Sequence, residues 1–240
     1  ERTKREAVDG MDAASWAVFQ EGFKHGFGAD ADHLKTPADI DRYAKAGFTM
    51  YTLDIGAYVV NEAARMPIAA VRTQAELLPW DVLEDSLHSV VERYAGKRFS
   101  FGEDLVFSPN KDEVLRALVK YGRGIAETVK LCTYLNENWS SLPHEIELSV
   151  DETDVPTSPL EHFIIANELK RLGIKLVSLA PRFIGDFEKG IEYKGDLDEF
   201  TREYVKHVRI AEAVGPYKIS IHSGSDKFAL YEIIGSLGTG

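Results

Sequence analysis

FGADADHLKT, residues Phe27 to Thr36, is the stretch from which the fold is read. Phe27 to Ala31 alternates as a short strand does, and it runs without a turn residue into Asp30, Asp32, His33 and Lys35. A helix start follows at once, with Thr36 as N-cap, Pro37 at the first helical position and Asp39 at the third. Acids, an imidazole and an amine therefore fall where a strand ends and a helix begins. In parallel α/β folds that edge is where ligands bind.

Outward from this stretch the same rhythm repeats. The helix from Pro37 to Ala46 closes at Gly47, a good residue for the left-handed turn past a helix end. Phe48 to Ile55 (FTMYTLDI) is β-branched and aromatic and predicts a second strand, ending in Asp54 and Gly56. Glu145 to Val150 (EIELSV) predicts another strand, followed by Asp151 and Glu152. Ser158-Pro159-Leu160-Glu161 combines an N-cap, a first-turn proline and a capping-box glutamate, opening a helix that runs to Leu172. Lys175 to Ala180 is the next strand and leads through Pro181-Arg182 into a loop rich in glycine and charge. A helix over Leu197 to Val214 precedes a last strand, Tyr217 to Ile221, ending in His222 and, shortly after, Lys227.

The flanks and the middle are less regular. Glu1 to Lys24 is a charged helical segment carrying Trp16 and Phe19. Thr73 to Tyr94 is a helical pattern, and Arg98 to Phe101 a weak strand. Ser108-Pro109 opens a long helical stretch towards Trp139, with Gly122 and Gly124 predicting a kink or break. Trp80 and Trp139 read as core.

Polar residues at each strand's C-terminal end point to a parallel sheet covered by helices, best closed as a (β/α)8 TIM-barrel-like single domain over residues 1–240. Only five good strands and one weak one are visible where eight are needed, so the barrel is expected to be incomplete in this chain and part of a longer one. The net charge of −11 argues against nucleic-acid and anionic-membrane partners. There is no signal peptide, no apolar run long enough to span a membrane, and a single cysteine, Cys132, so a reducing cytoplasm is the expected location. No Gly-x-Gly-x-x-Gly or Walker loop supports a nucleotide.

The strand-end residues are Asp32, His33, Asp54, Asp151, Glu152, Arg182 and His222. Two histidines among carboxylates suit a divalent metal with open positions for substrate oxygens. Arg182, with Lys35 and Lys227, suits a carboxylate or phosphate. His25, His88, His144, His162 and His207 receive no role.

The segments GADADHLKT, FTMYTLDIGAYV, ELSVDETDVPTSPLEHF, SLAPRFIGDFEKGIEYKGD and KISIHSGSDKF resemble those of the tagaturonate/fructuronate epimerase family of hexuronate catabolism. The resemblance implies a metal-dependent barrel enzyme that interconverts two ketohexuronates differing at one hydroxyl-bearing carbon. That carbon lies β to the ketone, so enolisation cannot invert it, whereas retro-aldol cleavage and recombination can. On this implication His33, His222 and Glu188 hold the metal (Zn, Mn, Ni, Co or Fe), Asp32 is the base and Glu152 the acid. Lys35 and Arg182 clamp the substrate carboxylate, with Asp151 and Lys227 also lining the substrate site. A homo-oligomer fits as well. The alternatives are a metal-dependent epimerase, isomerase or aldolase acting on neutral ketoses, a Schiff-base aldolase using Lys35 or Lys227, and a non-catalytic sugar-binding module.

Overall fold

In the computed structural model, which describes residues 5–237, the first strand, β1, is Asp30–Leu34. It starts later than the alternation from Phe27 suggests. The Ala29 carbonyl accepts the N–H groups of both Thr49 and Met50, so regular pairing begins only at Asp30. The strand thus contains Asp32 and His33 instead of ending before them.

The remaining strands are β2 (Met50–Asp54), β3 (Phe99–Ser100), β4 (Val106–Phe107), β5 (Glu145–Val150), β6 (Leu176–Pro181) and β7 (Lys218–Ile219). β3 and β4 form a small antiparallel pair, so the weak strand near Arg98 lies outside the main sheet. The five strong strands pair in parallel in the order β1-β2-β5-β6-β7. Each is added on the same side as its predecessor, and the sheet is open, with β1 and β7 at its edges. β7 is shorter than expected; Pro216, just before it, has no N–H to pair.

The helices are α1 (Ala7–Gln20), α2 (Pro37–Lys45), α3 (Ile68–Glu76), α4 (Leu87–Tyr94), α5 (Lys111–Asn138), α6 (Pro159–Arg171), α7 (Leu197–Val214) and α8 (Phe228–Ser236). The part of the predicted first helix before Arg5 lies outside the described residues. Neighbouring helices touch in chain order, α1 on α2, α2 on α5, α5 on α6, α6 on α7 and α7 on α8, which places them along one face of the sheet. The pattern over Thr73 to Tyr94 divides into α3 and α4, because Pro79 cannot continue a helix and Ser86 caps a new one. No helix among the described residues is long and apolar enough to cross a membrane.

Strand side chains alternate between the two faces. Tyr51, Leu53, Ile55, Ile146, Leu148, Val150 and Leu179 join the main apolar core with the helices. Thr52, Asp54, Glu147, Ser149 and Ser178 occupy the alternate positions and are buried too. Parallel strands normally read as continuous apolar runs, so a buried polar face is a feature to explain.

The expected break in the long helix does not occur: α5 runs unbroken through Gly122 and Gly124. These glycines allow close approach. A Cβ on Gly122 would sit 2.9 Å from a Leu78 methyl, and one on Gly124 would sit 2.5 Å from Ile55 Cδ1 and 3.3 Å from Ile55 Cβ. Ile55 is fully buried and cannot swing away. Replacing Gly by Ala inside an open helix gains roughly 0.5–1 kcal/mol, whereas overpacking a core costs roughly 1–3 kcal/mol. Gly124→Ala is therefore expected to destabilise the fold by about 1–2 kcal/mol in equilibrium urea unfolding. Gly10→Ala in α1, whose Cβ would meet nothing within 4 Å, is expected to stabilise it by up to about 1 kcal/mol. Shifts of the same sign would show that Ile55 yields.

Candidate active site at the C-terminal edge of the sheet

The pairing of β1 with β2 shifts register between Ala31 and Leu34, and His33 takes a left-handed backbone conformation at φ +58°. Non-glycine residues rarely adopt it, and such irregularities re-aim side chains at sites. The His33 ring spans two carboxylates. Its Nδ1 is 3.2 Å from Asp54 Oδ2 and its Nε2 is 3.5 Å from Asp32 Oδ1. Asp54, buried at the end of β2, also accepts the Gly56 N–H at 2.9 Å and lies 3.0 Å from Lys35 Nζ. Burial alone would raise its pKa; His33, Gly56 and Lys35 together outweigh burial and hold it well below the usual carboxylate range. In return Asp54 raises the pKa of both His33 and Lys35.

A second centre is built on Glu147, in the middle of β5. It accepts hydrogen bonds from Thr52 Oγ1 at 3.2 Å, from Ser178 Oγ, and from His222 Nε2 at 2.8 Å. Burial pushes its pKa up, and the bonds from His222 and Ser178 bring it below the ordinary value. His222 Nδ1 is buried and has no hydrogen-bond partner, although Asp151 Oδ1 lies 3.4 Å away. Burial disfavours the His222 cation, but Asp151 and Glu147 bring its pKa up to about 10. The His33 and His222 rings meet edge to face, with centroids 5.2 Å apart. Asp30 Oδ1, at the start of the row, lies 3.0 Å from Thr52 Oγ1 and shares that hydroxyl's single proton with Glu147. The residue is exposed on the edge strand, yet the protein packed around its carboxyl, with Glu147 and Asp32 adding, raises its pKa to about 6.

The structure thus brings together most of the residues singled out in the sequence. Asp32, His33 and His222 place ligand atoms within 4.8 Å of one another, and so do His33, Asp54 and Glu152. The two groups differ in charge balance. In the second, Lys35 already supplies a cation, 3.0 Å from Asp54 and 3.7 Å from Glu152. The first has no ammonium or guanidinium at its centre and includes His222 Nδ1, which has no hydrogen-bond partner; a divalent metal would take the place of the proton there, so the donor set fits one. Beside it a small cleft is lined by Asp151, Arg182, Phe183, Phe187, His222 and Ser223, among others. Among the described residues the Arg182 guanidinium forms no ion pair.

Two expected residues lie elsewhere. Glu188 does not join the histidines: Asp186 pairs back onto Lys194, and Glu188 sits exposed on that turn, bound to Lys194 Nζ at 2.8 Å. Lys227 is not available to a substrate carboxylate, because it is fully buried. Its ammonium donates to the carbonyls of Glu188 at 2.7 Å, of Ile191, and of Ser225 at 3.4 Å, pinning the loop. Sequence reasoning gave no role to Glu147, Thr52 or Ser178. The signal was available in EIELSV, where a glutamate interrupts an otherwise apolar parallel strand.

Comparison with known proteins follows the same direction. The sequence model of the tagaturonate epimerase family, UxaE, matches residues 1–240. The tagaturonate/fructuronate epimerase of Thermotoga maritima is 41% identical over 237 residues, which are 98% of this chain and 47% of that protein. Crystal structures of the fructuronate-tagaturonate epimerase UxaE from Cohnella laeviribosi, native and with one glycerol, superpose with a TM-score of 0.81 at 39% identity. They cover 94% of this chain and 44% of theirs. The chain spans about half the length of the relatives it matches.

The loop pin has a measurable consequence. Lys227→Met keeps the length of the side chain and leaves buried carbonyls without their donor, at a cost of roughly 1–3 kcal/mol for an unsatisfied group and more where a charge is involved. Lys227→Met is therefore expected to lower stability by about 2–4 kcal/mol and to open the 183–196 loop to limited proteolysis. Unchanged cleavage within that loop would show that other contacts hold it.

Proposed function

The chain belongs to the tagaturonate epimerase family, and from that premise we propose that it carries the metal and proton-transfer groups of an isomerase interconverting tagaturonate and fructuronate. The observation that carries this reading is the meeting of Asp32, His33 and the unpartnered His222 Nδ1 beside a cleft reached by a free arginine. We read the open sheet as part of a (β/α)8 barrel. In support, the strands follow chain order without reversal, the helices line one face, and a polar row lines the other.

His33, His222 and Asp32 would hold the divalent cation, Asp32 replacing Glu188 in the ligand set. When bound, such an ion supplies Lewis-acid polarisation of the substrate ketone. Arg182 takes the substrate carboxylate, a match of planar fork to planar anion. With Asp32 engaged, proton transfer passes from Asp32 to Glu152, which is 53% exposed and 3.7 Å from Lys35. Glu152 removes the proton from the hydroxyl on the carbon β to the ketone. The neighbouring C–C bond breaks, its electron pair moving towards the ketone oxygen and leaving an aldehyde. The aldehyde turns, the bond re-forms on its other face, and Glu152 returns the proton. One group suffices because the proton it takes is the proton it gives back. The lysines are poorly placed for Schiff-base chemistry, since Lys35 is ion-paired twice and Lys227 is spent on carbonyls.

Turnover of tagaturonate by the metal-loaded protein tests the reading directly. His222→Ala is expected to lower bound metal and turnover together. Glu152→Gln is expected to keep metal and substrate binding while turnover falls by roughly a hundredfold or more, the usual scale for a lost general base. Full metal occupancy in His222→Ala would remove that residue from the ligand set, and near-normal turnover in Glu152→Gln would move the base elsewhere.

A further inference from the structure

The turn after β2 forms a seat for the loop that carries Glu152. β2 and β5 are neighbours in the sheet, so the residues after Val150 lie beside those after Asp54. Asp54 Oδ1 accepts the Gly56 N–H at 2.9 Å, and the missing side chain of Gly56 lets the loop come close. A Cβ on Gly56 would sit 3.1 Å from Glu152 Cβ, 3.4 Å from the Glu152 carbonyl oxygen and 3.2 Å from Asp54 Oδ1. Those distances are tighter than ordinary contact, so Glu152 would have to give way. A second tie joins the same two segments, where Asn61 Oδ1 accepts the Asp154 N–H at 3.1 Å.

Lys35 completes the seat from the β1 side. Its backbone N–H donates to Asp39 Oδ2 at 3.1 Å, which fixes it at the cap of α2. Its ammonium lies 3.0 Å from the buried Asp54 and 3.7 Å from the exposed Glu152. Asp54 is held by Gly56 and His33 as well, so it is the fixed end of this bridge. A clamp for a substrate carboxylate needs a cation whose charge is unspent. Arg182 meets that need, since among the described residues its guanidinium forms no ion pair. Lys35 does not, because a third anion would have to share an ammonium that already faces two.

We propose that Lys35, expected from the sequence as a substrate clamp, is instead a positioning residue for Glu152, acting with Gly56 and Asn61 to hold that carboxylate where it takes the hydroxyl proton. This rests on Glu152 being the proton-transfer group. An exposed glutamate samples several rotamers, and a base acts only from those within hydrogen-bond reach of its proton. The ammonium favours the rotamers that face Asp54, and the two loop ties keep the Glu152 backbone in range. A misplacement of about 1 Å can cost about a hundredfold in rate, so modest contacts are enough to matter. Lys35, Gly56 and Asn61 touch no reacting atom in this role.

The test uses the intact, metal-loaded enzyme with tagaturonate and reads kcat, bound metal and, by calorimetry in the Glu152→Gln background, the Kd for the uronate. Lys35→Met is expected to lower kcat by about tenfold, with bound metal unchanged and the Kd within about threefold of the parent background. Lys35→Arg keeps a cation of similar reach and is expected to recover most of the loss. Asn61→Ala removes the acceptor for the Asp154 N–H and is expected to lower kcat by about threefold, with Asn61→Asp restoring it. This pair carries the test if the Lys35 variants fold poorly. Adding Lys35→Met to Glu152→Gln should lower kcat no further than Glu152→Gln alone. A weakened Kd with unchanged kcat makes Lys35 a clamp and overturns the proposal. Losses that multiply in the double variant, or a loss of metal that accounts for the fall in kcat, overturn it too. Near-normal turnover in Glu152→Gln overturns the base assignment and the proposal with it. A loss in Glu152→Gln with none in Lys35→Met or Asn61→Ala overturns the positioning role alone.

Discussion

A carboxylate buried in the middle of a parallel strand is the constraint on which the site depends. Glu147 is 3% exposed, and an ionised group there is tolerated only if its lone pairs are filled. Three side chains from three other segments fill them: Thr52 of β2, Ser178 of β6 and His222 beyond β7. Removing one partner would leave the rest of the charge uncompensated, which costs more than the intact arrangement gains. The carboxylate therefore ties the strands together on the face away from the helices. It also fixes His222, because Glu147 accepts at Nε2 and so turns Nδ1 towards the site.

The same logic sorts the remaining charges. Asp54, Glu147 and Asp151 each accept hydrogen bonds that outweigh the cost of their burial, so each remains an anion that orients a neighbour. Asp32 and Glu152 are 58% and 53% exposed and have only loose cationic neighbours, at 3.5 and 3.7 Å. Buried carboxylates build the site and exposed ones are left to act in it. The chain carries a net charge of −11, but Arg182 and His222 line the cleft beside the histidine pair. Local cations govern anion recognition at this range, since exposed charges more than about 8–10 Å away are largely screened.

Local signals were legible in the sequence and distant ones were not. The N-cap at Thr36 and the capping box at Ser158 form as expected, and Gly47 and Gly173 take the left-handed turns that end α2 and α6. Those features depend on residues a few positions apart. The shift of β1 depends on Ala29 meeting Thr49 and Met50, and the unbroken course of α5 depends on Gly124 meeting Ile55. Glu188 was placed beside the histidines because its loop follows Arg182. The pairing of Asp186 with Lys194, which carries it away, has no local mark. EIELSV showed a glutamate in a strand, but only the register with Thr52 and Ser178 makes it the centre of a network.

The two histidine pairs in this fold show why proximity alone does not make a site. The ring centroids of His33 and His222 are 5.2 Å apart, and those of His162 and His207 are 4.9 Å apart. In the second pair the two Nδ1 atoms meet each other, and His162 Nε2 meets the Tyr217 hydroxyl. In the first pair His222 spends Nε2 on Glu147 and keeps Nδ1 unpartnered, while His33 spends Nδ1 on Asp54 and has only the exposed Asp32 at Nε2. The difference lies in where each chain of hydrogen bonds ends. The buried pair spends its imidazoles on each other and on a phenol, in holding structure. Two chains that start from buried carboxylates use one nitrogen of each ring and turn the other towards the same space, which is what binding a cation or a substrate oxygen requires.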